Sequence, residues 1–165
     1  MGNKQQRQRI DISLWAWIGY GSQTNQKIKG IKWKGETEME LRKHFSAMTK
    51  HEINVLKGIV RSNNYVYTAY SIRRVMKRSI LHKDIRHAIK EGRVIEFHIV
   101  NSSLRILVRG RANRRKRCAC VVLDITNNTI ITSYENYKLD NHKTLNKSLY
   151  TKDIDVCSIV KPYIV

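Results

Sequence analysis

The hydrophobic periodicity of the chain changes at Arg93, and this change constrains the fold more than any other feature. From there on, apolar and polar residues alternate in four short segments, RVIEFHIV, LRILVRG, RCACVVLDI and NTIITSYEN. The linkers between them, NSS, RANRRK and TNN, are short. Strands joined by such short turns run antiparallel to their neighbours. The sequence therefore predicts a four-stranded antiparallel meander.

Apolar residues at helical spacing precede this region. The segments ETEMELRKHFSAM, TKHEINVLKGIV, NYVYTAYSIRRVMKRSIL and HKDIRHAIKEG each predict a helix. Thr49 and Glu52 have the spacing of a capping box, and Gly92 is placed to end the last helix. N-terminal helices packed on such a sheet define an α+β domain, which we assign to residues 36–165.

Two further segments flank this core. Residues 1–35 predict a basic arm and an aromatic β-hairpin extension, in which we expect Trp15, Trp17 and Trp33 to pack in a core or interface rather than stack on bases. The C-terminal DVCSIVKPYIV predicts a short edge strand.

The charge of the chain indicates a polyanionic partner. Its 165 residues include 32 Lys and Arg against 13 Asp and Glu, a formal net charge of +19. Phosphate neutralisation with counterion release favours nucleic acid, RNA above all. We expect no membrane partner, because no apolar run approaches the roughly 20 residues of a spanning helix. Three cysteines and no secretory signal predict a reducing compartment, here a bacterial host cytoplasm.

Metal and cofactor sites find little support. Cys118 and Cys120 share one face of a strand and should be buried, and no second Cys/His pair completes a zinc site. The carboxylates are too scattered for a two-metal nuclease. No phosphate-binding glycine motif is present. The sequence therefore predicts no metal and no cofactor.

Arginines recur at helical spacing in the third predicted helix. Tyr70, Arg74 and Arg78 form one row, with Tyr67 and Arg73 beside it. The row is either a solvated surface or a pair of guanidiniums that flank an RNA backbone.

The predicted sheet places further polar residues on shared faces. Arg105 and Arg109 fall with Leu107, and Glu96 falls with His98. The last strand groups Ile130, Thr132, Tyr134 and Asn136. Considered separately, Arg105 and His98 each fit a residue on the solvent-exposed side of the sheet. Several strands that each add polar groups to one side could instead line a site.

The segment DNHKTL follows the last strand and contains His142 beside Asp140 and Asn141. A loop histidine is usually a surface residue, but here a neighbouring group could orient the ring. An imidazole that titrates near neutrality suits general acid–base catalysis of RNA transesterification.

Several of these segments together resemble a known family. AYSIRRVMKRSILHKDIRHAIKEGRVIEFH, RILVRG, VVLDITNNTIITSY and DNHKTLNKSLY are similar to the motifs of small toxin-like bacterial and phage proteins. That family is grouped with the barnase–EndoU–colicin–RelE ribonuclease superfamily, in which N-terminal helices join a four-stranded antiparallel sheet. The resemblance covers about residues 65–150.

The resemblance implies catalytic positions and an activity. The catalytic positions would be Arg74, Arg78, Arg109, Thr132 and His142, with Tyr70 where the family often has histidine. The activity would be metal-independent RNA cleavage by attack of the 2′-OH. Further contacts to nucleic acid are expected from Arg73, Arg105, Arg111, Arg114, Arg115 and Lys116.

A non-catalytic alternative stays open. The chain could be a basic phage effector that binds nucleic acid or a host defence or transcription protein. A protein inhibitor is a further conceivable partner.

Overall fold

The computed structural model describes residues 40–101, 103–140 and 147–164. The predicted arm and hairpin, with Trp15, Trp17 and Trp33, lie outside the described residues, as do Asn141 and His142. Six strands are described: β1 Glu40–His44, β2 Val66–Tyr67, β3 Arg93–Val100, β4 Ser103–Ala112, β5 Arg117–Asp124 and β6 Thr129–Tyr137. Four α-helices accompany them: α1 Lys50–Ser62, α2 Ala69–Arg78, α3 His82–Glu91 and α4 Val156–Val160.

The strands form one mixed sheet in the order β1-β3-β4-β5-β6-β2. Strands β3 to β6 pair consecutively and antiparallel, as their short turns predict. The edge strand β1 adds an antiparallel pair with β3, whereas β2 pairs parallel with β6. The α+β class is confirmed. The expectation of a four-stranded, wholly antiparallel sheet is wrong, because a strand from the N-terminal part of the domain extends each edge.

The first predicted helix is not a helix. Glu40–His44 forms β1 and Phe45–Ala47 a single 3₁₀ turn. Strand β1 is held by its register with β3, from Glu40 opposite Val100 to His44 opposite Glu96. Tertiary pairing of this kind overrides weak local helix propensity.

The other helices begin where side chains cap them. Thr49 and Glu52 form the predicted capping box at the start of α1. Helix α2 begins later than its apolar pattern suggests, because Val66 and Tyr67 pair with β6 and the Thr68 side chain then caps the helix. The predicted C-terminal edge strand is wrong: Asp155 caps α4, and a 3₁₀ turn, Lys161–Tyr163, follows.

The two faces of the sheet differ in chemistry. The helix face packs its apolar residues against α1, α2, α3 and α4 in one buried core, which includes Phe97, Ile106 and Val121. The opposite face, which we call the polar face, has a small apolar cluster of Ile95, Leu107 and Cys120. Cys118 and Cys120 are both buried, as predicted. Among the described residues no helix is both long and apolar enough to cross a bilayer.

A register shift lies between Arg109 and Ala112 in β4, and two β-bulges decide which side chains reach the rest of the polar face. One lies between Val94 and Glu96 in β3. The other lies in β6, where Thr132 pairs with Val122 but Ile130 pairs with Leu123. Because a bulge adds a residue to one strand, Ile130 turns into the helix-face core, and its predicted grouping with Thr132 and Tyr134 is wrong.

Candidate active site

A carboxylate and an imidazole form a buried pair on the polar face. Glu96 and His98 are two residues apart in β3, so both side chains project from the same face. His98 Nε2 lies 2.8 Å from Glu96 Oε2. Glu96 is fully buried and His98 is 6% exposed. The interpretation of His98 as a solvated surface residue is therefore wrong.

Glu96 is held in its ionised form by three neighbours. The Tyr150 hydroxyl donates to Glu96 Oε1 at 2.6 Å, and Arg42 Nη1 lies 3.4 Å from Oε2. Burial alone would raise the pKa of this carboxyl, but the hydrogen bonds from His98 and Tyr150 and the charges of His98 and Arg42 outweigh it and lower the pKa. With both oxygens engaged, Glu96 is suited to orienting His98 rather than to taking a proton from a substrate.

Arginines flank the histidine on both neighbouring strands. His98 stands opposite Arg42 of β1 and opposite Arg105 of β4. Arg42 Nε also donates to Glu40 Oε1 at 2.6 Å. Arg105 Nε donates to Ser103 Oγ at 3.1 Å, and this hydroxyl donates to Asp124 at 2.9 Å. Both guanidiniums are thus fixed before any ligand arrives. Arg42 is already paired with the carboxylates of Glu40 and Glu96, so Arg105 is the better suited of the two to binding a phosphate.

These groups line one cleft of about 400 Å³ on the polar face. Its walls are formed by Glu40, Arg42, Glu96, His98, Val100, Arg105, Leu107, Val122, Ile131, Thr132 and Tyr134. Two of the predicted residues, Arg105 and Thr132, therefore meet the Glu96–His98 pair. An oriented imidazole between two cations is an arrangement that can move a proton beside a phosphodiester.

Tyr134 adds a hydroxyl to the same cleft. Burial, together with the negative charges of Glu96 and Asp140, raises its pKa well above the usual value. The phenol therefore keeps its proton at neutral pH and can act as a donor. Burial likewise raises the pKa of the Cys120 thiol to about 12, so this cysteine is not a thiolate nucleophile.

Arg109 lies at the end of the polar face. Its strand position alternates with Val108, which is buried in the helix-face core. Its Nη1 atom donates to the backbone oxygen of Asp140 at 2.8 Å. Arg109 thus binds the chain that leaves β6. It does not line the cleft that contains Arg105.

The arginine row of α2 lies on the other side of the sheet. Val75 of this helix is buried in the helix-face core. Arg74 Nε donates to the Tyr70 hydroxyl at 2.7 Å, and the guanidinium lies 5.1 Å from the centre of the Tyr70 ring. Arg78 Nη1 donates to the Ser133 carbonyl of β6 at 2.6 Å. The structure does not bring this row together with Arg105 or Arg109. Arg73, which lies on the same helix, is exposed.

The remaining predicted contacts cluster at the turn between β4 and β5. Arg111, Arg114, Arg115 and Lys116 are all exposed there. They lie together, as expected from the sequence, and are separate from the cleft.

Comparison with known proteins adds no relative. No protein-family model matches the chain, and neither the curated proteins nor the solved structures contain a significant match.

Sequence reasoning missed two residues that contact Glu96, Arg42 and Tyr150. Arg42 fell in a segment that was expected to be helical, and Tyr150 is distant in sequence from the strand it contacts. The Glu96–His98 spacing did carry a signal, since two residues apart in a strand means one shared face. What the sequence could not indicate is that β1 and Tyr150 lie against this pair.

Proposed function

We propose that this chain is a metal-independent endoribonuclease whose active site is the Glu96–His98 cleft. The observation that carries the proposal is the buried dyad held between Arg42 and Arg105 on adjacent strands. The motif resemblance to the barnase–EndoU–colicin–RelE ribonucleases supports it, and we propose that the fold is an elaborated form of theirs. The charge of +19 provides the general attraction for RNA.

In the first half of the reaction the ribose 2′-oxygen attacks phosphorus. With Nε2 of His98 bound to Glu96, Nδ1 is the nitrogen that accepts the 2′-OH proton as the O–P bond forms. Glu96 fixes the ring and stabilises the resulting imidazolium, as a carboxylate does in other His–carboxylate pairs. The negative charge that builds on the phosphorane oxygens is stabilised by Arg105 and Arg42.

In the second half the bond from phosphorus to the 5′-oxygen breaks, leaving a 2′,3′-cyclic phosphate. The departing oxygen takes a proton and becomes a 5′-OH. Tyr134 is the donor that we assign among the described residues, because it lines the cleft and its phenol carries a proton at neutral pH. His142 remains the alternative donor that the sequence predicts.

The test is RNA cleavage in excess EDTA, with the products analysed for cyclic phosphate and 5′-OH ends. We expect scission by the wild type and none of a substrate with 2′-deoxyribose throughout. His98→Ala should lower the rate about 10²- to 10⁴-fold, and Arg105→Ala about 10²- to 10³-fold. Intact RNA, or cleavage abolished by the chelator, would contradict the proposal.

One control variant and two test variants separate the roles. His51, exposed on α1, is the matched histidine, so His51→Ala should cleave at the wild-type rate. Tyr134→Phe and His142→Ala, compared side by side, assign the proton donor: only removal of the true donor should slow cleavage strongly. If His98→Ala cleaves like His51→Ala, the catalytic centre is not this cleft.

Non-catalytic binding is the second candidate, favoured by Tyr70 at a position where the family motif often has histidine. In that case the basic surface would hold nucleic acid, or a host protein, without cutting. Steeply salt-dependent RNA binding with no scission, unchanged in His98→Ala, would support it.

A further inference from the structure

The turn between β4 and β5 carries several cationic side chains on a backbone that hydrogen bonds hold in place. The Asn113 side-chain oxygen accepts hydrogen bonds from the backbone N–H groups of Arg115 and Arg117, at 2.9 and 3.0 Å. The backbone closes the turn as well, since Asn113 N donates to Arg117 O at 2.7 Å and Lys116 N to Asn113 O at 2.9 Å. Arg114, Arg115 and Lys116 therefore project from a fixed backbone.

An aromatic ring stands beside this turn. Tyr137, at the end of β6, is opposite Arg117 in the strand register and is 58% exposed. The Arg117 guanidinium lies 4.5 Å from the centre of the ring, and Nη2 donates to the Tyr137 hydroxyl at 3.0 Å. The side chain is therefore held in place while much of its surface faces solvent.

The ring and the turn are separate from the proposed active site. Arg117 lines a cleft of about 160 Å³ with Arg111, His87 and Glu135, on the side of the sheet that carries α3. Tyr137 is five residues along β6 from Thr132 of the Glu96–His98 cleft, roughly 17 Å at the rise of a strand. Bound nucleic acid would thus meet the two places at different nucleotides.

We propose that this end of the sheet binds single-stranded RNA, with one base stacked on Tyr137 and the neighbouring phosphates bound by Arg114, Arg115 and Lys116. The inference rests on the proposed function, in which RNA is the ligand, and it adds that the RNA is unpaired here. A base offers a free π-face only when it is not stacked in a duplex, and an aromatic ring among cations is a common platform for such bases. Arg117 fixes the ring in advance, so little side-chain freedom is lost on binding.

Binding to an uncleavable ligand tests the proposal. We would measure the affinity of the full chain for a 2′-O-methyl oligoribonucleotide of about 12 nucleotides by fluorescence anisotropy, both single-stranded and annealed to its complement. Tyr137→Leu should weaken binding of the single strand about 5- to 100-fold and leave binding of the duplex unchanged. Tyr137→Phe keeps the ring and should bind within a few-fold of the wild type. Leu139→Ala, an exposed apolar neighbour 93% accessible to solvent, is the matched control and should bind as the wild type does.

The outcomes separate this inference from the proposed function. Unchanged single-strand affinity in Tyr137→Leu, equal losses for single strand and duplex, or an equal loss in Tyr137→Phe would each overturn the stacking site. If RNA is cleaved but the affinity does not depend on Tyr137, only this inference fails. If single strands bind through Tyr137 but are not cut, only the catalytic proposal fails. Absence of any RNA binding by the wild type overturns both.

Discussion

A buried ion pair provides the sharpest test of how this fold is held together. Lys43 of β1 and Glu52 of α1 are 5% and 6% exposed, and Lys43 Nζ lies 2.7 Å from Glu52 Oε1. Lys43 also donates to the Ile154 carbonyl at 2.8 Å, and Glu52 accepts from the backbone N–H of Val156 at 3.3 Å. The pair therefore joins the edge strand, the first helix and the C-terminal segment.

Lys43→Met should be strongly destabilising. The methionine replaces the aliphatic stem but leaves the Glu52 carboxylate buried without its cation, and breaking a buried pair from one side costs about 3–5 kcal/mol. The double variant Lys43→Met/Glu52→Gln removes the stranded charge and keeps an acceptor oxygen for the backbone donors. We expect it to regain at least ~1 kcal/mol relative to Lys43→Met, a coupling typical of groups in direct contact.

Urea denaturation monitored by far-ultraviolet circular dichroism measures these differences. Lys50→Met, at an exposed position of α1, is the matched control and should change the free energy of unfolding by less than about 0.5 kcal/mol. If Lys43→Met lowers the free energy of unfolding by less than about 1 kcal/mol, the pair contributes no more than an exposed ion pair. The argument that this buried pair stabilises the fold would then fail.

The same pair predicts how the destabilisation caused by Lys43→Met depends on pH. Burial raises the pKa of Glu52, but hydrogen bonds from Lys43, Thr49 and Val156 and the charge of Lys43 outweigh burial and lower the pKa below its usual value. A lowered folded-state pKa adds stability above the unfolded-state pKa, and this stability is lost as the pH falls through the folded-state pKa. The gap between wild type and Lys43→Met should therefore narrow when unfolding is measured from about pH 7 to about pH 3.

Three further results are expected. Tyr150→Phe removes the 2.6 Å hydrogen bond to Glu96 and should cost about 1.5–3 kcal/mol in urea denaturation, as hydrogen bonds to charged groups do. Gly92→Ala would place a Cβ against the Ala88 carbonyl oxygen and should lower the melting temperature. A Cβ at Gly58 would meet nothing within 4 Å, so Gly58→Ala should raise the free energy of unfolding by up to about 1 kcal/mol. The logarithm of the RNA-binding constant should fall linearly with the logarithm of the salt concentration, with a slope of about −0.7 for each phosphate bound.

Local signals in the sequence were reliable where the structure depends on local interactions. The capping box of Thr49 and Glu52 forms because both partners lie within one turn of helix. The four meander strands form because short linkers leave their neighbours no other arrangement. The same holds for Arg105 and Leu107, whose shared face follows from the period of a strand.

Errors arose where distant residues decide the outcome. Glu40–His44 is a strand because β3 offers it a free edge, and nothing within the segment itself indicates that partner. The bulge in β6 turns Ile130 into the core, which a regular alternation cannot anticipate. For α4, the sequence predicted a short edge strand, but the Asp155 side chain accepts from Ser158 N and starts a helix.

The arginine row of α2 contributes to the fold and not to the proposed active site. The Ser133 carbonyl lies in a part of β6 that pairs with β5 but not with the two-residue strand β2. Arg78 donates to that carbonyl, so its side chain connects α2 to this part of β6. Arg74 is engaged with Tyr70 on the same helix. These contacts account for the row without a bound phosphate, whereas Arg42 and Arg105 converge on an imidazole. The row therefore contributes to the fold, and the pairing of β1 and β4 on either side of β3 brings together the residues of the proposed active site.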